Sequence, residues 1–274
     1  MRLRTILSVV IALSCGYALA SDMPWAKDYD SAKRMAKSGS KLIMLDFYAD
    51  WCSYCKKLDQ ITFTDDDVVK LAKQVVPIRL NSEKGGSVLA EAHSVKALPT
   101  IVFVDADGEV WGEIIGYMPP KPYMKRMSGI IDVYKTYSDA MKTLARKPND
   151  GRANAQIARV QAARGKLNEA TAAINKMEAA KYKAKDAAKT FNAVGDGYKS
   201  ANKFDEAIKY FIKANEAGKA DDNVKERSYA LSSIISYFRS KGDTKNAKKY
   251  GKELNGLKDG TKEYVDMAKR VVVG

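Results

Sequence analysis

Two cysteines three positions apart, in the run Trp51-Cys52-Ser53-Tyr54-Cys55, are the residues whose type and spacing speak most directly of chemistry. The other cysteine, Cys15, falls in a stretch with the make-up of a secretory leader. It has a basic start over Met1 to Arg4, an apolar run from Thr5 to Leu13 and small residues ending Ala18-Leu19-Ala20. Its apolar run is shorter than the roughly 20 residues that a membrane span needs. A lipoprotein leader ending at Cys15 fits less well, because Leu13 stands one place too close to the cysteine. Cleavage near Ser21 leaves Cys52 and Cys55 as the two thiols of the mature chain. A structural staple enclosing two residues would restrain the unfolded chain very little. A closed zinc site needs four ligands, and with one distant His93 the set falls short unless carboxylates or a second chain contribute. Dithiol-disulfide exchange needs only the two sulfurs, and it is the chemistry the spacing favours.

The neighbouring elements must position that pair. Trp25, Tyr29, Ala32, Met35 and Ala36 recur at helical spacing and predict a helix over 25–38 that Gly39 ends. Leu42 to Tyr48 is an apolar run interrupted by Asp46, the pattern of a central strand covered on both faces. The cysteines then open a helix reaching about Ile61, and Thr64 to Asp67 caps another through Lys73. A strand over 75–80, a Gly85-Gly86 turn and a helix from Ser87 to about His93 follow. Strands 100–104 and 110–115 form a hairpin around Asp105 to Gly108, and Pro119-Pro120 opens a closing helix. This order predicts an α/β layer arrangement with a mixed sheet. It sets the cysteines between a buried strand and a helix N-terminus, which favours a thiolate in the first turn. Cys52 is therefore expected to be the exposed, acidified thiol and Cys55, one turn inside, the buried one. His93 reads as a polar helix residue and is assigned no function.

The run Asp46-Phe47-Tyr48-Ala49-Asp50-Trp51-Cys52-Ser53-Tyr54-Cys55-Lys56, with Leu98-Pro99-Thr100 later, resembles the thioredoxin-fold thiol-disulfide oxidoreductases over residues 21–130. Phe63-Thr64-Asp65 and the segment Val76 to Asn81 are most similar to the periplasmic C-terminal domain of DsbD and its soluble relatives. The resemblance implies that Cys52 attacks a disulfide and Cys55 resolves the mixed disulfide. It makes Asp46 a buried carboxylate that exchanges a proton with Cys55, and Pro99 a cis proline beside the sulfurs. Gly116 matches a glycine that lets a substrate backbone approach, while Trp51, Tyr54 and Leu98 flank the site on the substrate side. Asp46 as a plain strand-end carboxylate and Gly116 as a plain turn glycine are the bland alternatives. Arg79 departs from the lysine common at its position.

Beyond about residue 135 strand-like runs vanish and alanine and lysine rise. Phe191, Val194-Gly195, Tyr198, Ala207, Phe211 and Ala214 resemble the tetratricopeptide repeat, with Lys219 where a proline is expected. Turn segments beginning Gly165, Asn202 and Gly242 align at longer intervals than that repeat's usual period. The organisation expected is a leader over 1–20, a thioredoxin-like domain over 21–135 and an all-α helical-hairpin repeat domain over 136–274. Residues 21–130 hold fifteen basic against fifteen acidic side chains, whereas 131–274 hold thirty against eighteen. The charge excess thus belongs to the helical half, where a solvated basic face is the simplest account. An acidic protein docked there, or a membrane surface, comes next. No nucleic-acid motif accompanies the charge.

These readings imply a periplasmic or otherwise extracytoplasmic oxidoreductase requiring no cofactor or metal. It would reduce selected protein disulfides with electrons from a membrane thiol relay, its repeats holding the partner. Asp46 and the absence of a histidine between the cysteines favour reductase over oxidase or isomerase. A non-catalytic scaffold is the rival from another class.

Overall fold

The computed structural model describes residues 23–182 and 186–257, so the leader expected over 1–20 lies outside the described residues. Two compact units divide between Ser128 and Gly129. Along the first run α1 (Tyr29–Gly39), β1 (Ile43–Tyr48), α2 (Ser53–Lys57), a π turn (Leu58–Thr62), α3 (Asp66–Ala72), β2 (Val76–Asn81), α4 (Ser87–Ala92), β3 (Thr100–Val104) and β4 (Val110–Ile115). Then comes α5 (Pro120–Arg146), which crosses the division between the units.

The strand order is β2-β1-β3-β4. β1 pairs parallel with β2 and antiparallel with β3, which pairs antiparallel with β4. Alternation along β1 separates two layers. Ile43, Leu45 and Phe47 pack with Ala32 and Ala36 of α1, Ala90 of α4 and Val102 and Val104 of β3. Met44 faces the other way and accepts a hydrogen bond at its Sδ, 3.4 Å from the hydroxyl of buried Tyr123 on α5. A mixed sheet flanked by helices results, the thioredoxin fold that the resemblance implied. β2 forms one edge. Pro77 offers it no N–H, and the Pro77 carbonyl accepts from Ala26 N–H at 2.7 Å.

Local chemistry sets the ends of these elements. α1 starts at Tyr29 and not at Trp25, because Asp28 and Ser31 form a reciprocal capping box. Trp25 is thereby left to pack edge-on against Phe63, ring centroids 5.4 Å apart. Ser40, in the left-handed region at φ 48°, closes the helix in place of Gly39. Asp65 caps α3, accepting from the N–H groups of Asp67 and Val68. In the β3–β4 hairpin, Asp105 accepts from the N–H groups of Asp107 and Glu109 and from the indole of Trp111.

The second unit is helical, with α6 (Gly151–Ala163), α7 (Leu167–Ala179), α8 (Ala187–Ser200), α9 (Phe204–Ala220), α10 (Val224–Ser240) and α11 (Thr244–Asn255). Consecutive helices pack as the hairpins α6/α7, α8/α9 and α10/α11, while α9 also packs closely on α10, and α8 on α6, α7 and α10. Their turns hold Gly165 (φ 74°), Asn202 (φ 58°) and Gly242 (φ 72°), each two residues before the next helix. Glycine and asparagine are the residues that tolerate this conformation best. Buried alanines, among them Ala155, Ala158, Ala170 and Ala214, let the helices approach closely. A Cβ on Gly195 of α8 would sit 2.8 Å from the Phe211 ring of α9. Gly195→Ala is therefore expected to cost about 1–3 kcal/mol by overpacking, read as a lower melting temperature. An unchanged melting temperature would show that this interface has slack.

Candidate active site

β1 hands the chain to a short turn that delivers Cys52 to the N-cap of α2 and Cys55 into its first turn. The two are joined by a disulfide, Cα atoms 5.3 Å apart. Cys55 N–H donates to Cys52 Sγ at 3.1 Å, and Lys56 N–H to the Cys52 carbonyl at 3.2 Å. Sulfur thus occupies the place that a serine or aspartate oxygen takes at most helix starts. A thiolate formed on Cys52 would meet a backbone donor already aimed at it.

The expected contrast between an exposed Cys52 and a buried Cys55 is absent here, since each is 3 % exposed. Tyr48 and Leu98 pack against the cluster formed by Ala49 and the two cysteines, and the disulfide draws Cys52 onto its partner. Leu98-Pro99 is cis. The Pro99 carbonyl accepts from Gly116 N–H at 2.8 Å. Gly116 has φ 81°, so its turn favours glycine, and beyond its own chain neighbours no heavy atom of the described residues lies within 4 Å of where a Cβ would stand. Trp51, immediately before Cys52, and Tyr54, between the two cysteines, are 66 % and 62 % exposed. The Trp51 indole donates to Glu83 Oε1 at 2.7 Å. Tyr54 stacks on Tyr117, and the Lys57 ammonium lies 4.6 Å from the Tyr117 ring. Large aromatics held in the open beside a buried redox pair form a surface on which a partner chain can lie.

Asp46 is 2 % exposed. Burial pushes its carboxyl up to about 7, with Arg79 pulling it down and Asp59 pushing it up. Arg79 stands opposite Asp46 in the parallel register of β1 and β2, its Nε 3.3 Å from Asp46 Oδ2. The contact is an ion pair without hydrogen-bond alignment, and Asp46 Oδ1 has no hydrogen-bond partner among the described residues. Arg79 Nη2 donates to Asp59 Oδ2 at 2.9 Å. The guanidinium also lies over the rings of Tyr48, 4.4 Å away, and Trp25, 5.6 Å away. Burial and the Asp46 charge hold the Tyr123 hydroxyl well above its usual range.

Cys52, Cys55 and Leu98 are thus brought into one cluster, Pro99 and Gly116 into one backbone contact, and Asp46 into an ion pair with Arg79. Asp59, Glu83 and Tyr117 went unread in the sequence. Asp59 gave no signal because its position depends on the π turn, and π turns recur at functional sites. Among the described residues no group of three or more His, Cys, Asp or Glu side chains is placed to hold a metal ion.

Residues 29–128 match the family model described as a thioredoxin-like domain. The thiol:disulfide interchange protein DsbD of Vibrio vulnificus (strain CMCP6) is 36% identical over 101 residues, 35% of this chain and 17% of that protein. DsbD of Photorhabdus laumondii subsp. laumondii is 37% identical over 78 residues, 27% of this chain and 14% of that protein. The chain therefore spans less than a fifth of the length of these curated relatives. The oxidised C-terminal domain of Neisseria meningitidis DsbD is 21% identical with a TM-score of 0.31, over 35% of this chain and 86% of that one. Residues 29–128 of this chain are a thioredoxin-like domain.

Proposed function

We propose that this chain is an extracytoplasmic thiol-disulfide oxidoreductase acting as a reductase of selected protein disulfides. The observation that carries the reading is the Cys52–Cys55 disulfide at the start of α2, with a backbone donor on Cys52 Sγ. In the reduced protein the Cys52 thiolate attacks a substrate disulfide, forming a mixed disulfide and expelling one substrate thiolate. Cys55 then gives its proton to the Asp46 carboxylate, and its sulfur attacks Cys52 Sγ. The second substrate thiolate leaves and the Cys52–Cys55 disulfide closes. Two electrons have passed to the substrate, and a donor dithiol must return two to the protein. A membrane thiol relay is the donor class suggested by similarity to DsbD.

In this reading Pro99, Leu98 and Gly116 line the approach of the substrate backbone, and Trp51 and Tyr54 receive its side chains. The three hairpins, with left-handed turns at Gly165, Asn202 and Gly242, act as a tetratricopeptide-like docking domain. Its basic excess suits an acidic partner protein. Residues 1–20 direct export to the periplasm, with the redox domain ending near residue 135.

The test is the equilibrium reduction potential of the Cys52–Cys55 pair in the purified protein, titrated against a dithiothreitol or glutathione buffer. A value near about -270 mV, as in thioredoxin, is expected for a reductase. A value near about -120 mV, as in DsbA, would reverse the direction of electron flow while keeping the site.

A further inference from the structure

The helical unit carries two recesses that are one site repeated. Ala193, Asp196, Gly197 and Ser200 of α8 line the first, with Arg164 and Gly165 at the end of α6. Ser233, Ser236, Tyr237 and Ser240 of α10 line the second, with Lys199 of α8 and Phe204 and Ile208 of α9. Each of these α10 residues stands as far ahead of Gly242 as its α8 counterpart stands ahead of Asn202, and Asn202 and Gly242 are the left-handed turn residues of their hairpins. Lys199 and Ser200, adjacent in α8, line one recess each, so the two lie side by side near the turns.

The recesses differ in what closes them. Leu167, the first residue of α7, is buried, and a Cβ on Gly197 would stand 3.1 Å from its Cδ2. Phe204 opens α9 as Leu167 opens α7, but it has Tyr237 where Leu167 has Gly197. Two large rings cannot nest as leucine nests on glycine. Phe204 is left 47 % exposed, and a cavity of about 200 Å³ stays open beside it. An apolar cavity of roughly 150 Å³ already takes a benzene ring. The first recess is wider, about 550 Å³, and walled largely by alanine and glycine. The carboxylates here are engaged. Asp196 accepts from the Tyr229 hydroxyl at 2.6 Å, and Asp205 from the Tyr237 hydroxyl at 2.7 Å with the Lys241 ammonium at 3.2 Å. Arg164 lines the first recess and exposed Lys199 the second, and both are cations. We infer that the two recesses form one binding site for an extended acidic segment of a partner protein, a site that rests on the docking reading of this unit given above. One aromatic side chain enters the cavity beside Phe204, and carboxylates flanking it meet Lys199 and Arg164.

The experiment is amide NMR of the deuterated full chain, titrated into the millimolar range with three end-blocked synthetic pentapeptides. One has a central phenylalanine between pairs of glutamates, the second has alanine at the centre, and the third has lysines in place of the glutamates. The first is expected to shift the amides of residues 204–211 and 233–240. Alanine at the centre should weaken binding at least about tenfold, the scale of one fully buried phenylalanine. The lysine peptide should leave these amides unmoved, and added salt should weaken the glutamate peptide. Ser236→Trp, which puts a ring into the cavity from an exposed position, should block the shifts, and Lys199→Glu should weaken them. Lys199 is exposed, so its variant tests the site even where Ser236→Trp disturbs the packing. Equal shifts with all three peptides, or shifts confined to residues outside the two recesses, overturn the site and leave the docking role of the unit standing. No shift anywhere overturns the site and counts against an acidic partner as well.

Discussion

A Cys55→Ser variant is expected to accumulate as covalent complexes with its partners through Cys52, where the unaltered protein shows almost none. Resolution of the mixed disulfide is intramolecular, because Cys55 sits one turn from Cys52 with its N–H already on the Cys52 sulfur. Well-oriented intramolecular groups act at effective concentrations of about 10⁵ M or more, far above any free thiol, so removing the Cys55 sulfur slows resolution by orders of magnitude. Nonreducing electrophoresis of the variant expressed in its host should show higher-mass bands that collapse on reduction. Adding Cys52→Ser should abolish them, and Cys52→Ser alone should lose essentially all thiol-disulfide exchange activity. Full function in the Cys52→Ser variant would instead make the helical repeats the working part and the redox site a bystander.

Replacing Asp46 with asparagine should make the protein markedly more stable above neutral pH. Folding raises this carboxyl from 3.8 to about 7. Between those values the folded state keeps a proton that the unfolded chain has released, so stability falls as pH rises through that window. Across roughly three pH units at about 1.36 kcal/mol each, the loss is on the order of 4 kcal/mol. The variant lacks the titrating group and should lose the slope. Its advantage is small near pH 4 and greatest beyond pH 7. Arg79 keeps its bond to Asp59, which limits the cost of losing its other partner. Urea unfolding at pH 4.5 and pH 8 measures the difference. Parallel pH profiles for the two proteins would show that Asp46 is not destabilised by its burial.

What was legible in the sequence was local. β3 and β4 run over the residues expected because the intervening turn carries its own instructions in Asp105 and Gly108, and β1, its apolar run broken once at Asp46, starts one residue late at Ile43. The helical turns could be aligned because Gly165, Asn202 and Gly242 are residue types that accept a left-handed backbone. The start of α1 was misread where two signals compete. Trp25 continues the helical spacing, but the Asp28–Ser31 capping box is a stronger local start, and Trp25 is spent on Phe63. At the site, the cysteines and the cis proline were accessible through motif and resemblance. The Asp59–Arg79–Asp46 chain was not, since it needs the register of β1 against β2 and a π turn whose hydrogen bonds no residue type announces. The burial of Cys52 was hidden for a similar reason, as Leu98 reaches it from a distant stretch of chain.

The capped edge of the sheet also governs how copies of this domain can join. With Pro77 lacking a donor and its carbonyl taken by Ala26, β2 is a poor template for an incoming strand. An incoming strand therefore gains little by pairing along β2. Open-ended strand addition on the β2 side of the sheet is thereby disfavoured.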